Sequence, residues 1–144
     1  MRRTFLWINF VLASLIVLLI FAQAYFITAY VTGEEGALDW HSFLGFAIIH
    51  PAELLVFLTA FGAWPRAWRW IGFTFFLFVL GTVQLFLAPP EEDPASGWVH
   101  GFHGLLALLV LVTAAVIAHR GMRDLGLTRG RGGDAGTAPP QPLP

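Results

Sequence analysis

The chain has no cysteine and no lysine, and it carries little charge of either sign. The absence of cysteine excludes disulfides, thiolate metal sites and cysteine-ligated iron–sulfur clusters. Of 144 residues only 12 % are charged and 57 % are hydrophobic, a balance that cannot cover a water-soluble globule and that marks an integral membrane protein. No Gly-rich phosphate loop, nucleophile elbow or His-Glu-x-x-His is present, so nothing marks a stand-alone enzyme. A nucleic-acid partner is not implied either, because the arginines are few and are explained by membrane topology and anionic lipid.

What is present is a set of long apolar runs. Four of them match the roughly 20 helical residues needed to cross a hydrocarbon core: Phe5 to Val31, Trp40 to Ala63, Trp68 to Ala88, and Trp98 to His119. They predict an all-α membrane protein, a four-helix transmembrane bundle over residues 1–120 with the lipid bilayer as its surroundings. Residues 121–144, rich in Gly, Pro and Arg, have too little apolar surface to fold and read as a disordered tail. Arg2 and Arg3 precede the first run, Arg66 and Arg69 join the second to the third, and Arg120, Arg123, Arg129 and Arg131 follow the fourth. The other two connections carry Glu34, Glu35 and Asp39, then Glu91, Glu92 and Asp93. The positive-inside rule then expects both termini in the cytoplasm and both acidic loops outside. A cleaved secretory signal ending near Ala22-Gln23-Ala24 is the rival reading of the first run. Its apolar stretch exceeds a usual signal core and continues through Tyr25, Phe26 and Ile27, which favours an uncleaved anchor.

The chain also repeats itself. The second run opens His41-Ser42-Phe43-Leu44-Gly45 and the fourth His100-Gly101-Phe102-His103-Gly104, so each reads His-x-Phe-x-Gly. Gln23 in the first run and Gln84 in the third precede those histidines by 18 and 16 residues. Two tandem helical hairpins of one design are expected, related by an axis along the membrane normal. With Asp39 and Ser96 as helix N-caps, His41 and His100 fall at nearly equal depth below the outer boundary. Residues four apart share a helix face, so Gly45 lies beside His41 and Gly104 beside His100. An imidazole that can bind iron, with a glycine one turn deeper to let a flat ring approach, suits a porphyrin held by two histidines. The bland alternatives are interfacial capping for His41 and His100, and helix–helix hydrogen bonding for His103, Gln23, Gln84 and Asn9. Trp40, Trp64, Trp68, Trp70, Trp98, Tyr25 and Tyr30 sit near run ends and read as an aromatic belt.

His50 and Glu53 stand apart. Nine residues from His41 on a regular α-helix, His50 points to the opposite face and is not expected to share its site. Glu53 is the only acidic residue within a run, and three residues from His50 it can pair with it. A charged, unpaired residue there costs at least about 2.5 kcal/mol, so Glu53 is expected protonated or bonded to His50. Pro51 leaves a carbonyl of the preceding turn without its donor. A locally satisfied kink is the plain reading, and a proton relay or quinol site the sharper one.

The stretches "LDWHSFLGF" and "WVHGFHGLLALL", with the two glutamines followed by aromatics, resemble a bacterial family of small four-helix membrane proteins known only as a domain of unknown function. The likeness covers most of Gln23 to Val110. In that family the second helix carries His-x-x-x-Gly and the fourth His-x-x-Asn-Gly, which map onto His41 and Gly45 and onto His100 and Gly104, with His103 in the place of the Asn. More distantly, histidine with glycine one turn on is similar to the haem-binding helix pairs of haem A synthase and membrane b-type cytochromes. The resemblance implies a multi-pass protein of a bacterial cytoplasmic membrane. It allows two functions: a haem b protein for electron transfer or haem handling, ligated by His41 and His100 and served by quinol or a redox partner protein, or a cofactor-free accessory or scaffold subunit.

Overall fold

The computed structural model describes residues 1–87 and 97–128. Within them every regular element is a helix: α1 (Arg2–Val31), α2 (Gly36–Phe43), a π-helical segment (Leu44–Ile49), α3 (His50–Ala63), α4 (Trp68–Phe86) and α5 (Gly97–Asp124). The π segment joins α2 to α3 without a break, so four helices, the second running over Gly36–Ala63, are long and apolar enough to cross a membrane. The Ser96 cap, the loop with Glu91, Glu92 and Asp93, and residues 129–144 lie outside the described residues.

Only 22 to 33 % of each apolar stretch is buried between helices, so most of its hydrocarbon faces outward and has to be solvated by lipid. The inner faces use small side chains. Ala13 on α1, Ala52, Ala60 and Ala63 on α3, Gly81 on α4 and Ala114, Ala118 and Gly121 on α5 are buried, letting the backbones approach closely, as membrane helices do without a hydrophobic drive between them. Successive neighbours pack around a ring: α1 on α3, α3 on α4, α4 on α5, and α5 back on α1. Asn9, fully buried on α1, donates to the Val56 carbonyl (2.7 Å) and to Thr59 Oγ1 (3.0 Å) on α3. This is the interhelical bond expected of it.

The end of the bundle that holds Arg2 is closed by polar contacts. Trp64 Nε1 donates to Asp124 Oδ2 (2.8 Å), Arg120 Nε meets the same oxygen (3.0 Å), and the Arg120 guanidinium stacks 5.0 Å over the Trp70 ring. Arg2 Nε donates to the Ala63 carbonyl at the end of α3 (3.2 Å). Trp64 is therefore a buried hydrogen-bonded residue and not a member of an aromatic belt, whereas Trp40, Trp68 and Trp98 are exposed as that belt requires. The fourth helix also outruns its expected end. It continues through Asp124 because Asp124 is clasped and because Gly126, at φ +76°, supplies the left-handed residue of a helix-ending turn in which Leu127 N–H reaches the Met122 carbonyl.

Candidate functional site

The opposite end is splayed. Helix α2 packs on α1 and on the π segment, and its backbone approaches neither α4 nor α5. Below this gap lies a cavity of about 310 Å³ whose walls are mainly apolar and whose polar lining is Gln23, His41, Ser42, His50, Glu53, Gln84 and His103. All but two of the nine site residues expected from sequence line it, Gly45 included. The exceptions are His100 and Gly104, which are exposed.

The expected pairing of His41 with His100 is corrected by which imidazole lies beside His41. Helix α2 starts at Gly36, so Asp39 is interior and not its cap, and His41 lies five residues in. On α5 the imidazole brought beside it is that of His103, half-buried, and not that of His100, which is exposed. Gly104 follows His103 by one residue and so turns about 100° off the cavity face. The imidazoles of His41 and His103 stand 6.2 Å apart, centroid to centroid, with ring planes at 49°.

Each ring is pinned the same way. His41 Nδ1 donates to the Gln23 carbonyl (3.1 Å), and His103 hydrogen-bonds the backbone of Gln84, so each histidine is tied to the glutamine of the preceding span. The repeat is thereby re-registered, with separations of 18 and 19 residues in place of 18 and 16. A carbonyl can only accept, so the bonded nitrogen carries the hydrogen and the other keeps a lone pair. For His103 that other nitrogen, Nδ1, is buried without a partner. The expected helix–helix bond of His103 exists, through the Gln84 backbone. The glutamine side chains are not interhelical glue of the kind expected: Oε1 of both Gln23 and Gln84 is buried and unpartnered.

His50 is the second correction. Pro51 has no N–H and its ring crowds the carbonyl four residues back, and the chain before it is wound with wider i→i+5 bonds, His50 N–H reaching the Gly45 carbonyl. Such winding turns each residue by roughly 80° instead of about 100°, so the six residues of the segment recover roughly 120° and bring His50 within about 60° of His41. The two share one cavity after all. His50 stacks on Phe78 (5.1 Å, 15°) and its Nδ1 lies 3.2 Å from Glu53 Oε2. Glu53 is 1 % exposed, its Oε1 has no partner, and its carboxylate lies where a Cβ on Gly81 would be. Sequence reading missed Gly81 and Phe78. Only a glycine facing the lone intramembrane acid could have signalled the first.

Among the described residues no group of three or more His, Asp or Glu is placed to hold a bare metal ion. No protein-family model, curated protein or solved structure matches the chain.

Proposed function

We propose that the protein binds haem b between His41 and His103, at the splayed end of the bundle, for electron transfer or haem handling. The observation that carries this reading is the unpartnered Nδ1 of His103, buried opposite an imidazole pinned in the same manner on another helix. A metal–imidazole distance of about 2.0–2.1 Å on each side puts two ring centroids roughly 6 Å apart, in keeping with the 6.2 Å between these rings. The two backbone carbonyls would orient the rings and raise their basicity, as outer hydrogen bonds do for metal-binding histidines. The gap between α2 and α5 leaves room for a flat ring, while the space beside Gly45 is taken by the Gln23 amide. Haem there would supply one-electron transfer within the membrane, and it needs only axial ligands from the protein.

The finer topology belongs to the same proposal: two tandem hairpins in a bacterial cytoplasmic membrane, both termini inside, as in the small four-helix family that the sequence resembles. A redox partner protein would dock at the His41 end. The test is an absorption spectrum of the purified protein before and after dithionite. A Soret band that sharpens on reduction is expected. A folded, monodisperse and colourless protein from haem-sufficient cells would overturn it in favour of the cofactor-free accessory subunit.

A further inference from the structure

We propose that the inner part of the cavity, around Glu53, binds the head group of a membrane-soluble dihydroxy aromatic, a quinol, whose hydroxyl donates to Glu53 Oε1. Glu53 and His41 are twelve residues apart, roughly 16 Å along the second span once the shorter rise of the π segment is allowed for, so this position is distinct from the space between His41 and His103. Glu53 is buried, and its Oε2 is occupied by His50. Whichever of the two carries the shared proton, Oε1 remains an acceptor with nothing to accept. Leaving such a group dry and unpaired is costly, and the ligand that relieves it has to bring a donor. Three residues beyond Gly81, which touches the carboxylate, Gln84 presents a second unpartnered oxygen, about 4.5 Å further along α4. Gln23 presents a third. The fully buried unpartnered atoms of the lining are thus all acceptors, while much of the wall, including Ile20, Ile49, Leu85 and Val110, is hydrocarbon. A donor-bearing, otherwise apolar molecule of two hydroxyls fits that wall. A quinone, with carbonyls alone, would leave Glu53 Oε1 without a donor.

The inference uses the same cavity as the haem but does not depend on it. Equilibrium dialysis of decylubiquinol, under anaerobic conditions, against nanodiscs with and without the protein should show saturable binding to the protein. The dimethyl ether of the same quinol partitions alike but has no donor, and it should bind at least about tenfold more weakly. Glu53→Leu should lower quinol affinity by a similar factor and leave the absorption spectrum unchanged, since it touches neither His41 nor His103. Quinol and ether binding equally well to the unaltered protein, or no saturable quinol binding, would overturn the proposal even if Glu53→Leu failed to fold. A colourless unaltered protein from haem-sufficient cells that still binds the quinol saturably would remove the haem reading alone.

Discussion

The carboxylate of Glu53 occupies the space in which a side chain on Gly81 would begin. Helices α3 and α4 therefore meet through an acid laid against a bare backbone. Gly81→Ala should force the carboxylate aside at a cost of about 1–3 kcal/mol, read as a lowered thermal midpoint in detergent. Adding Glu53→Ala should return part of that loss, because the clash disappears with its partner. Additive costs of the two changes would deny that they meet.

The ligand pair is separable by mutation. His41→Ala and His103→Ala should each abolish the haem spectrum or convert it to high spin, since an axial ligand is lost. His100→Ala and His119→Ala should leave it intact, both residues being exposed. A spectrum that survives His103→Asn but fails with His100→Ala would restore the pairing first read from the sequence.

The winding before Pro51 makes a further test. Deleting Ala47 leaves His41 and His50 eight residues apart, roughly 80° around a regular α-helix and close to their present relation. The variant should insert, remain monodisperse and melt within a few degrees of the parent. Aggregation would show that the π segment does more than set the angle between α2 and α3.

The clasp at the other end should be worth measuring by Trp64→Phe, which removes one donor to Asp124 and leaves Arg120 in place. A half-exposed charged hydrogen bond of this kind contributes about 1–2 kcal/mol, so the thermal midpoint should fall modestly. No change would mean that the Arg120 contact alone holds the end of α5.

Orientation is checked by reporter fusions. Fusions after Arg66 and after Leu127 should report cytoplasm, and one at Glu35 the outside, as the arginine distribution requires. A tail on the outer side would refute the inferred topology.

Much of the fold was legible because lipid imposes a simple rule: four apolar runs of sufficient length became four helices, and Asn9, buried in one of them, found its interhelical partners. The site was legible in residue type and not in register. Placing a helix cap four residues late, at Asp39 instead of Glu35, set His41 too shallow and paired it with His100 when His103 lies opposite. His50 was assigned to the wrong face because a 3.6-residue period was assumed through a proline that the chain accommodates by unwinding. Both errors come from counting along a helix whose local geometry was set by a cap or a missing N–H.

The separation of α2 from α4 and α5 has a consequence for opening. Tied only to α1 and to its own continuation, α2 should be the first element to exchange its amide hydrogens, while those of α3 and α5 beside the Trp64–Asp124 clasp exchange last. A ligand bridging His41 and His103 would close that difference. Its affinity would then be paid back partly as protection of α2, so that hydrogen exchange in eight residues becomes a titration of occupancy at the other side of the gap.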